Sequence, residues 1–217
     1  MASSPPNSKS VFNLAWPIAL NAVLLQCILI IDTVLVTPLG EESLAAMGLA
    51  ASTGGIILGF LFAFSNSSQL LIAQAQGAEN QLALKSGFWA GQAINWVVAL
   101  IGISGILIVG DTVLSAIAPS EAMAQKSSDY LRIFTGVIVG VSITQNITAL
   151  FNATGNSKLP FYSNLFELPI NAGISYVLIY GLWRFPAMGL TGAAWGSVHG
   201  CRCLKQGVLI DINPVNK

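Results

Sequence analysis

Charge is what this chain has least of: nine Lys and Arg and nine Asp and Glu in 217 residues, with a single histidine. A soluble domain of this size carries about 25% charged residues, so 8% excludes an ordinary water-facing surface. The few basic residues are scattered and balanced by acids, which leaves no basic run to follow a phosphate backbone, and nucleic acid is not expected as a partner. Cysteine is scarce too: Cys27, Cys201 and Cys203 are too few and too badly placed for a disulfide framework. Cys27 lies in an apolar run and reads as a small buried hydrophobe. Cys201 and Cys203, even with His199 nearby, lack the further ligands that zinc needs, so no metal site is expected. No Ser/His/Asp set, Cys/His set or phosphate loop is present, and an enzyme is not expected.

What the chain does have is long apolar runs, with 54% hydrophobic residues and a mean hydropathy of +0.71. A helix needs about 20 apolar residues to cross the roughly 30 Å hydrocarbon core of a bilayer. Runs of that kind recur over 14–36, 45–72, 86–109, 130–154 and 159–182, and Pro186 opens the small-residue start of another. The expected fold class is therefore an all-α membrane protein, a polytopic bundle of five full spans and an incomplete sixth within 14–199. Residues 1–13 are expected to form a polar tail ahead of a retained first span. Residues 200–217 contain basic residues and never complete an apolar run, so this atypical tail is expected to reflect a shortened form. The long break Gly110 to Asp129, with Ser120 after Pro119 as a candidate N-cap, has room for a short helix at the membrane interface.

Lys and Arg set the orientation. With a cytoplasmic N-terminus, Lys9, Lys85, Lys158, Arg202, Lys205 and Lys217 lie inside, against Lys126, Arg132 and Arg184 outside. Asp32 then falls towards the outer end of the first span. A plasma or inner membrane, or an organellar envelope, is the expected setting.

Ionisable groups inside a span are costly and mark function. Asp32 and Glu167 are the carboxylates within spans. At 100° per residue, Asn164, Glu167, Asn171 and Ser175 fall within a band of about 80° on one helix face, and Asn21 and Asp32 differ by only about 20°. Gln145, Thr148 and Asn152 make a second polar face on the fourth span, and Phe64 to Gln69 (FSNSSQ) is polar all round. The stripes point either to a water-filled chamber lined by Asn21, Gln145, Asn152, Asn171 and Ser175 or to dry helix-to-helix hydrogen bonds, with the chamber the more economical reading.

The segment Leu14 to Ala50, LAWPIALNAVLLQCILIIDTVLVTPLGEESLAAMGLA, resembles the opening of the multidrug and toxic compound extrusion (MATE) transporters. A proline early in the first helix, a late Asp-Thr and a Leu-Ala-Ala-x-Gly-Leu-Ala run occur in the family's order. The resemblance continues through IAQAQGAEN (Ile72 to Asn80), APSEAMAQKSSDYLRI (Ala118 to Ile133), FNATGNSKLPF (Phe151 to Phe161) and FPAMGLTGAAWGSV (Phe185 to Val198). It covers about residues 11–199 and implies the N-terminal one of two six-helix lobes facing a central cavity. It also implies export of small organic solutes against inward H+ or Na+, with the coupling ion as the one expected cofactor. In this resemblance Asp32 matches the family's cation-coupling aspartate and Asn171 a fifth-helix asparagine. Ser175 stands where many relatives carry an aspartate, and Glu167, two turns earlier on the same face, is the candidate substitute. Expected partners are a small-molecule substrate, membrane lipid, and a second lobe or second copy. Two other readings stand beside this one: a lipid-linked precursor flippase or polysaccharide exporter of the same superfamily, and a non-transporting module that needs a second lobe. The first predicts cationic cavity residues, and no Lys or Arg lies well inside a span.

Overall fold

The computed structural model describes residues 8–182 and 186–199, and every element in them is helical apart from turns. The helices are α1 (Ser8–Val36), α2 (Glu41–Gly77), α3 (Gln81–Ile117), α4 (Glu121–Ala153), α5 (Lys158–Tyr180) and α6 (190–199), with a short 3-10 turn at Thr37–Leu39. Four of them, α1 to α4, are long and apolar enough to cross a membrane. The 23 residues of α5 span about 34 Å, enough to cross, but its polar face dilutes its apolar content. The atypical tail with Cys201, Arg202, Cys203, Lys205 and Lys217, the N-terminal residues 1–7, and Arg184 lie outside the described residues.

Helices run well past the apolar stretches that announce them. Both α2 and α3 have 37 residues, about 55 Å of helix against a hydrocarbon core of about 30 Å. For this reason the expected interfacial helix between Gly110 and Asp129 does not form. Residues up to Ile117 continue α3, and Glu121 already begins α4. Ser120 is the N-cap of α4, its Oγ accepting from the Met123 amide at 3.2 Å. Asn80 does the same for α3, accepting from Ala83 at 3.0 Å. At the other end of α1 the helix begins at Ser8, inside the expected polar tail, because polar residues can occupy a helical turn outside the hydrocarbon.

Hydrogen bonds between helices give the topology directly. Ser157, Asn164 and Ser175 bond to Leu14, Asn21 and Asp32, always at a separation of 143 residues, so α5 lies parallel and in fixed register along α1. Gln92 bonds to Ser142 and Asn146 to Phe88; as one partner advances the other retreats, so α3 and α4 are antiparallel. The bundle α2–α3–α4 packs closely within itself, while α1 pairs chiefly with α5. These two groups join at one end, where Val36 and Ile179 enter a core with Ala46, Leu61, Tyr130, Leu131, Ile138 and Leu190. A smaller cluster of Ile72, Ala75, Leu84 and Leu150 closes α2, α3 and α4 at the opposite end.

The sixth helix is seated by glycine. A Cβ on Gly192 would stand 2.7 Å from the backbone carbonyl carbon of Leu178, and one on Gly196 only 2.8 Å from the Ser175 Cα. This small-xxx-small spacing lets the α6 backbone lie against that of α5, the usual way helices approach where lipid gives no hydrophobic drive. The chain reaches that position through Gly181, which caps α5 in the left-handed conformation at φ +69°.

Candidate functional site

Asp32 sits one turn before the end of α1 and is 6% exposed. Two hydroxyls from two other helices reach it: Ser175 Oγ of α5 donates to Oδ1 at 3.3 Å, and Ser197 Oγ of α6 donates to Oδ2 at 3.0 Å. No described Lys or Arg forms an ion pair with it; the described ion pairs are Lys126–Glu42 and Arg132–Asp111. A buried carboxylate held by hydroxyls alone keeps an uncompensated charge, which an arriving cation or proton neutralises. Asp32 therefore joins three helices.

Ser197 has a second possible acceptor, the Ala193 carbonyl oxygen of its own helix at 3.3 Å. Its hydroxyl can leave Asp32 without being stranded, so the α6 contact is reversible at little cost.

The sequence-derived candidates are distributed along the α1–α5 seam and beyond it. Asn21 and Asp32 do share a side of α1, and both face α5. Asn21 Oδ1 accepts from Asn164 Nδ2 at 2.6 Å, a direct helix-to-helix bond of the packing kind. Asn171 is buried, one turn before Ser175 on the same face. Glu167 is half-buried and lies eight residues before Ser175, about 12 Å along the axis, so it does not share the Asp32 group. Gln145 and Asn152 are half-buried on α4; Asn152 is one residue from the end of that helix, at the opposite end of the bundle from Asp32, and Gln145 is two turns nearer. Of the FSNSSQ segment, Ser65 and Ser68 point into the α2–α3–α4 bundle while Asn66 and Ser67 are exposed.

Ser197 and the Gly192–Gly196 pair are the functional features absent from the sequence reading. The signal for them in the sequence is the G-x-x-x-G within GAAWGS, in a run too short to announce a full span.

A family model, MatE, matches residues 17–177. Among curated proteins, a probable multidrug resistance protein NorM of Rhizobium meliloti is 30% identical over 165 residues, which cover 75% of this chain and 35% of that protein. The probable multidrug resistance protein YoeA of Bacillus subtilis is 27% identical, covering 74% of this chain and 35% of its own length. In fold, the chain superimposes on a multidrug resistance MATE transporter of the MOP superfamily in its outward-facing conformation. The TM-score is 0.82 at 17% identity, over 92% of this chain and 44% of that one. A MATE structure in a bent conformation gives 0.84 at 16% identity with the same coverage. The chain thus spans well under half the length of the relatives it matches. With that match and that fold, this integral membrane chain belongs to the MatE family of MATE transporters, and its extent is that of one six-helix lobe.

Proposed function

We propose that the protein serves a MATE-type efflux transporter that exports small organic solutes in exchange for inward H+ or Na+, with Asp32 as the coupling acid. The observation that carries this reading is the carboxylate bound by Ser175 of α5 and Ser197 of α6 in the seam of α1. When a proton or Na+ occupies Asp32, the hydroxyls lose their charged acceptor; Ser197 turns to Ala193, and α6 and α5 are freed to shift against α1. Asn171, one turn from Ser175, shapes the polar surroundings of that carboxylate. Gln145 and Asn152 line the remainder of the chamber towards the far end of the bundle, while Asn21 is held in packing by Asn164.

The chain spans less than half the length of its relatives, and the transport proposed takes place between this lobe and a facing one. The described charges support a cytoplasmic N-terminus. Lys9, Lys85 and Lys158 stand at the end where α1 begins, while Lys126 and Arg132 at the other end are matched by Glu42 and Asp111.

The test is Asp32→Asn in the chain reconstituted with its facing lobe. Cation-driven efflux is expected to be abolished while the helical content is kept; undiminished efflux would sink the assignment.

A further inference from the structure

The α1–α5 seam is buried unevenly. Between Pro17 and Asp32 no residue of α1 is buried, and between Pro160 and Asn171 none of α5 is. The two helices close only near Val36 and Ile179, where the main core begins. Glu167 lies in the open half. It is half-buried, on the stripe of α5 that also carries Asn164, Asn171 and Ser175, and not on the exposed stripe of Tyr162, Phe166 and Tyr176. The 143-residue register sets it level with Leu24, between the Asn21–Asn164 bond and Asp32.

The described helices around it bring no fixed positive charge to that level. On α1 the titratable groups are Lys9, Cys27 and Asp32, and Lys9 lies fifteen residues before Leu24, about 22 Å along the axis. On α4, Glu121, Lys126, Asp129, Tyr130 and Arg132 all fall in the first turns, with none from Ile133 to Ala153. On α6 there is His199, exposed and tilted against Trp195 with ring centroids 6.0 Å apart. On α5 itself stand Lys158, Tyr162, Tyr176 and Tyr180. A carboxylate within a span and without a counter-charge calls for a mobile cation. The carboxylate and amide oxygens along this stripe are hard ligands that suit one.

We infer that Glu167 is a second station for a monovalent cation, H+ or Na+, on the open half of the α1–α5 seam, with Asn171 one turn from it and one turn from Ser175 on the way from Asp32. This rests on the reading of Asp32 as the coupling acid and adds the side on which that acid discharges. The open half lies towards the end where α1 begins, and in the conformation described Asp32 is closed at the Val36 end, so its inward-moving cation leaves past Glu167.

Dicyclohexylcarbodiimide, which modifies protonated carboxyl groups in apolar surroundings, tests this on the unaltered 217-residue chain in liposomes, with peptide mass spectrometry as the readout. Glu167 is expected to be modified, more slowly as pH rises. Na+ at ten times its Kd is expected to cut the modification about tenfold. The same protection at Glu167 is expected in Asp32→Asn, since cations in solution reach Glu167 through the open half without passing Asp32. Response to pH but not to Na+ identifies the cation as a proton. No modification of Glu167 at any pH, or modification indifferent to both cations, overturns the station. If Asp32 alone responds, its coupling role stands without Glu167; if Glu167 alone responds, the station stands and the coupling role of Asp32 falls.

Discussion

The α2–α3–α4 bundle and the α1–α5–α6 seam bury polar groups in opposite ways. In the bundle the buried side chains are neutral and their amide nitrogens donate to fixed partners: Gln92 Nε2 to the Ser142 carbonyl at 3.0 Å, Asn146 Nδ2 to the Phe88 carbonyl at 3.0 Å, and Asn95 Nδ2 to Ser65 Oγ at 2.7 Å, while the Asn95 and Asn146 side-chain oxygens meet no partner among the described residues. Amides bonded to backbone across helices hold a register and have no reason to exchange. In the seam the buried group is a carboxylate, and its ligands are hydroxyls, one of which has an alternative acceptor. One polar set fixes three helices with neutral amides, and the other joins three helices at a carboxylate, the group that the proposed coupling would load and unload.

The contrast can be broken most forcefully at the α6 contact. Gly192→Val places a side chain against the Leu178 backbone, where nothing flexible can yield, and is expected to cost about 3 kcal/mol. It should also part Ser197 from Asp32. Thermal unfolding in detergent reads the first effect and loss of the cation response reads the second; a wild-type response in this variant would contradict the α6 linkage. A smaller effect is expected in the bundle. Asn146→Ala removes the bond to Phe88 and should lower stability by about 1–2 kcal/mol, with cation binding at Asp32 unchanged. A shifted cation affinity in that variant would show that the two regions are not separate. The smallest change in stability belongs to Ser197→Ala, about 0.5–1.5 kcal/mol. It should nonetheless tighten cation binding at Asp32, by up to about tenfold, because the empty carboxylate loses a hydrogen bond that the occupied one does not keep. Equilibrium binding of H+ or Na+ measures it, and weaker binding would contradict the role given to the hydroxyl.

Much of this was readable in the residues because hydropathy and helical period are local properties. The runs beginning at Leu14, Ala45, Ser86, Tyr130 and Leu159 each became a helix. The 20° offset between Asn21 and Asp32 correctly put them on one side, since eleven residues make very nearly three turns. Helix ends differ from the hydropathy boundaries where the helix outlasts the apolar run. Gly110 to Asp129 is polar because it leaves the hydrocarbon, and it stays helical because Ser120 caps the next helix and only a short turn is needed between the two. The polar stripes were seen, but whether they lined a chamber or bonded one another was open, and Asn21 with Asn164 proved to be a bonded pair.

By itself the sequence determined that this is a helical membrane chain of the MatE family and that Asp32 is a carboxylate with no charge partner nearby in its own helix. Only the tertiary structure decided which groups answer it. Ser175 lies 143 residues away and Ser197 lies 165 away, on a helix whose seating depends on two glycines meeting a neighbouring backbone. Hydropathy and period report what one helix shows to its surroundings. The register between helices is set by packing over the whole interface, and no local run of residues carries it.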